Sequence, residues 1–434
     1  MSETLPAGLR AYRLLSAAAA PLALLLLAHR LRRGKELRAR LSERRGQTGI
    51  ARPQGSLVWL HGASVGELAS VLPLIERIAA RGVNMLVTTG TVTSGGLAEQ
   101  RLPAGVIHQF LPLDVPRFVR RFLEHWQPDL ALFVESDLWP NMMIETSARN
   151  VPMILVNGRL SERSFERWRY LQDTIASLLR RFDLCLARTP GDAGRLVGLG
   201  APRVITSGNL KLDVPAPPAD SVELAVLADA LAGRPVIAAA STHAGEEDIV
   251  IAAHARLRKN YPRLLTLIAP RHPERGAGVV AIAKAAGLQA AQRSRGEPPE
   301  AKTDIYVADT VGELGLLYRL APIVFIGGSL VRHGGQNPIE PAKLGAAILH
   351  GPHVWNFAEL YDALDAAHGA EPVSDADRLT AGLAAWLGDP AGRARVADVA
   401  RTTVESLGGA LDRTLQSLEP YLVELQLRRR ADYA

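Results

Sequence analysis

The chain has 434 residues, 47% hydrophobic and 22% charged, the composition of a folded protein with core enough for two or three domains. Its one cysteine, Cys185, excludes an internal disulfide framework and a cysteine-built zinc cage. The net charge is +6, but residues 1–45 hold 10 basic and 3 acidic residues, which leaves the remainder at −1; a nucleic-acid partner is not expected, because it would require a basic stripe on the folded domain itself.

At the amino terminus an apolar run covers residues 14–28, ahead of the basic stretch H-R-L-R-R-G-K. The run is short of the ~20 residues of a full span, and no small-x-small cleavage site follows it. Residues 5–28 are expected to form a membrane-anchor helix, spanning or inserted, and 29–45 a basic juxtamembrane helix on anionic headgroups. The basic block keeps its side cytoplasmic. The competing reading is an amphipathic helix packed on the domain.

After Gly46, short apolar runs alternate with helical stretches. Strands are expected at 57–60, 84–89, 130–134, 153–156, 183–187 and 204–207. A Pro-rich stretch, V-P-A-P-P-A-D at 214–220, interrupts the series, which resumes at 236–240, 264–269, 305–307, 323–326 and 347–349. Alternating strands and helices imply βαβ units and parallel sheets. The fold class is therefore α/β: two doubly wound domains, at 46–213 and 221–434, joined by a linker at 214–220.

Ligands of such sheets bind beyond the carboxyl ends of the strands, where this chain places Gly-rich polar loops. No G-x-G-x-x-G, Walker A, H-E-x-x-H or EF-hand pattern occurs, so no dinucleotide cofactor or metal is indicated. Ser64-Val65-Gly66-Glu67, Thr310-Val311-Gly312-Glu313 and the Ser241–Glu247 loop each follow a strand and are expected to open a helix. Ser64/Glu67 and Thr310/Glu313 have the spacing of a capping box, capping is the plain reading of all three, and each carries a Gly before Glu that lets a ligand approach the backbone. From spacing alone Glu67 is equally a helix cap and a carboxylate at a strand mouth.

Gly334-Gly335-Gln336-Asn337-Pro338-Ile339-Glu340 is a further Gly-rich helix entry, suited to phosphate or to a tight turn. Arg271, after Pro270, suits a phosphate or a surface ion pair with Glu274. Glu135 ends an apolar strand, and Lys211 lies just before the linker. His243, His272 and His333 share these loops without an assigned role.

Together, W-L-H-G-A-S-V-G-E, L-P-L-D-V-P, E-S-D-L-W-P-N, N-G-R-L-S, G-N-L-K-L-D, S-T-H-A-G-E-E, P-R-H-P-E-R, D-T-V-G-E-L, G-G-x-N-P-I-E and G-P-H-V-W-N-F resemble, in order, the bacterial 3-deoxy-D-manno-octulosonic acid (Kdo) transferases. The resemblance implies a GT-B glycosyltransferase with two Rossmann-like domains, an acceptor domain at 46–213 and a nucleotide-sugar-binding domain at 221–434, and an interdomain active site. It implies a CMP-Kdo donor, a lipid A precursor acceptor, inversion, no metal or cofactor, and a place on the cytoplasmic side of the inner membrane. It assigns Glu67 as proton acceptor and Glu135 and Lys211 as transition-state stabilisers. CMP contacts fall on Pro270, Arg271, Val311, Gly312, Glu313, Asn337, Pro338, Ile339 and Glu340. This chain departs from the family pattern at Asp137, Gly158 and Gln336, the last standing where His is usual. Another GT-B nucleotide-sugar transferase or epimerase, or a tethered non-catalytic relative, are the alternatives.

Overall fold

Pro21 has no backbone N–H, and its ring clashes with the carbonyl four residues back, so the apolar amino-terminal run does not form one helix. It splits into α1 (Ala7–Ala18) and α2 (Ala20–Arg32), bent by 64°. The structure, a computed structural model, describes residues 4–231 and 233–432. Among the described residues no single helix is long and apolar enough to cross a membrane, so the expected anchor helix over 5–28 is replaced by this bent pair. The pair is docked: Leu9 is 1% exposed within the first domain's core, Arg13 pairs with Glu145 at 2.7 Å, and the Tyr12 hydroxyl donates to Asp114 Oδ2 at 2.9 Å. Leu14, Leu15, Leu22 and Leu25 are exposed.

The expected basic helix over 29–45 is also absent beyond the end of α2. Two short 3₁₀ turns, Arg38–Arg40 and Glu43–Arg45, take its place. The reason lies in the two glutamates of the stretch. Glu36 accepts from Arg30 at 2.8 Å and Arg44 at 2.9 Å, while Glu43 accepts from Arg40 and from the Phe110 amide. Arg40 and Arg44 also lie over the Phe110 ring. These arginines are spent on folding, not held out to solvent.

The chain divides into two compact units, residues 1–214 with 408–434, and residues 215–407. The division falls in the Pro-rich stretch, as the sequence suggests, but the second domain does not run to residue 434. The carboxy-terminal helix Ala410–Asp432 returns to the first unit. Leu415, Leu418, Leu422 and Leu425 pack there with Leu68, Leu74 and Ile78 of α3 (Val65–Ala79) on one face of the first sheet. Each buried leucine contributes about 1.5–3 kcal/mol, and that face needs a second covering layer.

The first sheet contains β1 (Leu57–His61), β2 (Asn84–Thr89), β3 (Ile107–Phe110), β4 (Leu130–Val134), β5 (Met153–Gly158), β6 (Leu184–Ala187) and β7 (Val204–Thr206). Its order is β3-β2-β1-β4-β5-β6-β7, all parallel. Successive residues serve opposite faces: Leu57, Trp59, Ala131 and Phe133 join one core cluster, Val58, Leu60, Leu130 and Leu132 the other. Both faces are covered, so the strands read as continuous apolar runs. Cys185 lies in β6, and burial pushes its thiol up to about 12, an inert core residue.

The second sheet contains β8 (Val236–Thr242), β9 (Leu265–Pro270), β10 (Ala290–Gln292), β11 (Ile305–Val307), β12 (Ile323–Ile326), β13 (Ala347–His350) and β14 (Ala370–Pro372), in the order β10-β11-β9-β8-β12-β13-β14. Strands β3, β10 and β14 were not expected from the sequence. All three are sheet edges of three or four residues with polar members. An edge strand pairs on one side only and carries little of the apolar signal by which strands are read.

Candidate active site

In the first sheet, chain order reverses between β1 and β4. Loops diverge at such a point and leave room for a ligand. The loop after β1 carries Glu67, and the loop after β4 carries Glu135 and Asp137.

Ser64 caps α3, its Oγ accepting from the Glu67 amide at 3.2 Å. The Glu67 side chain turns back in the same turn. Its Oε1 accepts from Ser64 Oγ at 2.9 Å and its Oε2 from the Ala63 amide at 2.8 Å, one residue before the cap. Glu67 is therefore both a helix cap and a carboxylate at the strand mouth. A helix start with two donors would hold such a group ionised and weakly basic. Here burial, helped by the charges of Glu135 and Asp137, outweighs those donors and raises the Glu67 carboxyl above its ordinary value. It has the properties of a stronger base than capping alone would give.

Glu135 sits at φ 60°, left-handed backbone that a branched or bulky residue avoids. Lys211, in a 3₁₀ turn capped by Asn209, donates from Nζ to Glu135 Oε1 at 2.8 Å. The aromatic neighbour in this loop, Trp139, is exposed at 38%.

Two further residues complete this corner. His61, the last residue of β1 and 1% exposed, places Nε2 2.9 Å from Asp137 Oδ2 and Nδ1 3.0 Å from Thr88 Oγ1. Trp59 Nε1 donates to the same threonine oxygen at 2.9 Å. Burial pulls the Asp137 carboxyl upward, but His61 and Trp139 outweigh it and hold it below its ordinary value. His61 opens the H-G-A-S-V-G-E loop but has no role legible in the sequence, because its partner Asp137 lies in a loop 76 positions away.

In the second sheet the order reverses between β8 and β12. The loop after β8 holds Glu246, whose carboxylate is fully buried and accepts from the amides of His243, Gly328, Ser329 and Leu330 at 2.7–3.0 Å. It ties the two loops at the reversal together, a structural part for this motif. Gly327 is required here: a Cβ would come within 2.6 Å of Ser241 O and Thr242 Cα. His243 stacks on His333 at 4.1 Å and meets His272 edge-on. Gln336 Nε2 lies 3.3 Å from His243 Nε2.

Arg271, following Pro270 at the end of β9, is exposed. Glu274 faces His272 instead, and Arg275 takes the buried Glu247, so the surface ion pair with Glu274 offered for Arg271 does not form.

The 310–313 loop is not a copy of 64–67. Its helix, Leu314–Leu320, begins later, so Glu313 is the N-cap residue where Glu67 is the third helical one. Thr310 Oγ1 donates to Glu313, and Arg293 grips it through both Nε and Nη2; that grip holds Glu313 below its ordinary value. Val311 and Gly312 stand exposed ahead of it, Gly312 at φ 88°.

Asn337 Oδ1 accepts from the Ile339 amide, and the helix that follows, Ile339–Lys343 behind Pro338, is a single turn. Burial raises the Glu340 carboxyl, opposed by Asn337 Nδ2 at 3.3 Å. The structure thus brings Glu67, Glu135 and Lys211 to one corner of the first unit. In the second it puts Arg271 and the 310–313 and 337–340 loops at strand ends.

Two parallel α/β units with their polar loops at sheet reversals define a GT-B-like protein. A UDP-N-acetylglucosamine 2-epimerase described as putative, from Listeria monocytogenes, superposes with a TM-score of 0.60 over 85% of this chain and 97% of its own, at 12% identity. A glycosyltransferase from Rickettsia africae gives 0.58 over 86% and 99%, at 10% identity. These likenesses concern the fold alone. The family model described as 3-deoxy-D-manno-octulosonic-acid transferase (kdotransferase) matches residues 39–214. The 3-deoxy-D-manno-octulosonic acid transferase of Haemophilus influenzae is 35% identical over 89% of this chain and 92% of its own. That of Bordetella pertussis is 36% identical over 85% and 88%. The chain belongs to the Kdo transferase family and is a glycosyltransferase.

Proposed function

We propose that the protein moves Kdo from CMP-Kdo to a hydroxyl of a lipid A precursor and releases CMP, in lipopolysaccharide assembly. The observation that carries this reading is Glu67: a carboxylate aligned by Ser64 and Ala63, raised in basicity, and placed beside the Glu135–Lys211 pair. Glu67 takes the proton of the acceptor hydroxyl, whose oxygen then bonds to the anomeric carbon of Kdo as the bond to CMP breaks, with inversion. A base within hydrogen-bond reach of that hydroxyl is what the step needs.

CMP leaves as a phosphate monoester, so negative charge grows on the departing phosphate. Arg271, whose guanidinium is not spent on Glu274, is suited to bind it. Val311-Gly312 and 337–340 line the nucleotide's place at the strand ends, with Glu340 as an acceptor for ribose hydroxyls. Glu313 acts there through Arg293, which already occupies its carboxylate. Cationic side chains and backbone dipoles supply the charge stabilisation, without a metal.

The exposed leucines of α1 and α2 lie against the cytoplasmic face of the inner membrane as a shallow insertion. Support comes from the bent geometry, from the buried anchoring of Leu9, and from leucines left in solvent. Incubation with CMP-Kdo and a lipid A precursor, with mass measurement of the product, tests the whole reading. A mass increase of one or more Kdo units with matching CMP release is expected, and Arg271→Ala raises the KM for CMP-Kdo at least tenfold. Turnover of a UDP-sugar in place of CMP-Kdo would overturn it.

A further inference from the structure

Beside Glu135 the first unit carries a groove of about 220 Å³, lined among others by Ser136, Asp137, Trp139, Leu160, Ser164 and Trp168. That is below the ~300 Å³ at which pockets for drug-sized ligands begin, and leaves room for a single ring. Three segments form it: the loop after β4, Leu160 after β5, and the helix Glu162–Arg169.

We infer that this groove is the seat of a sugar ring of the acceptor, with Trp139 and Trp168 as its apolar walls and Asp137 as its hydroxyl acceptor. The inference rests on the transferase reading above and names the acceptor side of that site.

Four observations carry it. Trp139 is 38% exposed and lines the groove, so part of its ring is open to a ligand. Its orientation is fixed, because Nε1 donates to Asp137 Oδ2 at 2.9 Å. Trp168 is anchored from behind, packing partly buried against the core. Asp137 spends Oδ2 on His61 and Trp139, while Oδ1 accepts no hydrogen bond among the described residues.

A carboxylate only accepts, so the free oxygen calls for an O–H or N–H donor. Two aromatic surfaces with one carboxylate and two serine hydroxyls match a pyranose, which has apolar C–H faces and a rim of hydroxyls. The location matches too: Ser136 follows Glu135, and the Asp137 charge acts on Glu67. A ring bound here lies next to Glu135 and on the carboxylate whose charge reaches the proposed base.

The test is binding of the water-soluble, deacylated sugar headgroup of a lipid A precursor to the full chain, read by tryptophan fluorescence. Because this needs neither donor nor turnover, it is independent of the transferase assay. Trp139→Ala and Ser164→Phe, the second filling the groove from an accessible helix, are each expected to weaken binding at least tenfold. In turnover they raise the acceptor KM and leave the donor KM within twofold. Should Trp139→Ala fail to fold, Ser164→Phe decides. Wild-type affinity in folded Ser164→Phe, or no headgroup binding by the wild type, overturns the groove assignment. Headgroup binding without Kdo transfer would instead overturn the transferase reading.

Discussion

Lys211 Nζ and Glu135 Oε1 are 2.8 Å apart, an ion pair between residues 76 positions apart that joins the loop after β7 to the loop after β4. Both side chains are partly shielded, at 25% and 15% exposure, so the pair is worth more than a surface bridge. Breaking it from one side leaves a shielded charge unpaired. Lys211→Met is therefore expected to cost the first unit about 1–3 kcal/mol and to lower kcat at least a hundredfold. Glu135→Gln with Lys211→Met should recover part of the stability and none of the activity. Urea melts and a double-mutant cycle measure the first, CMP release the second; full additivity in stability would contradict a direct pair.

Glu67 separates capping from catalysis by sign. Its folded-state pKa is raised by burial, so its ionisation opposes folding. Stability from this group is full below the ordinary carboxylate value of about 4.3 and falls as pH rises through the folded value. Glu67→Gln removes that penalty and keeps an acceptor for the turn. It is expected to be as stable as wild type or more so at pH 7, with transfer abolished. The wild-type rate should climb with pH, its midpoint above the ordinary carboxylate value. A residue serving only as a cap would show the reverse: a loss of about 1 kcal/mol with activity retained.

Glu246 gives a structural contrast. Its carboxylate is fully buried on four amides. Replacing it with Ala leaves those donors without a partner, each worth about 1–3 kcal/mol. Glu246→Ala is expected to unfold the second unit or expose it to protease. A folded variant impaired only in turnover would instead place Glu246 in the chemistry.

Membrane attachment is better tested by substitution than by deleting residues 1–45. Deletion would remove Leu9, Arg13, Glu36 and Arg44, all built into the first unit. Ser at Leu14, Leu15, Leu22 and Leu25, exposed at 63–73%, should leave thermal stability nearly unchanged. Binding to vesicles containing anionic lipid, followed by sedimentation, should fall at least tenfold. Undiminished sedimentation would mean that these leucines do not insert.

Legibility in the sequence followed burial. Strands covered on both faces carry unbroken apolar runs, so β1, β4, β5, β8 and β12 could be read directly. The edges β3, β10 and β14 could not, because one-sided pairing asks little of their side chains. The carboxy-terminal helix has amphipathic leucines that any sheet face could accept; only the packing shows that the face belongs to the first unit. Of the site, Glu67, Glu135 and Lys211 were named from motifs, yet the motif Ser/Thr-Val-Gly-Glu does not fix a role. Its Glu is the third helical residue at 67 and the N-cap at 313.

By itself the sequence determined the alternation of strands and helices, the two series and their Pro-rich division, and the family to which the loops belong. Those follow from local periodicity and ordered motifs, which need no third dimension. Tertiary structure decided what depends on partners distant in the chain. It paired Lys211 with Glu135 and His61 with Asp137. It consumed Arg30, Arg40 and Arg44 in ion pairs where a free basic helix was expected. It set the basicity of Glu67, because a carboxyl's proton affinity is fixed by the water it loses and the charges that surround it.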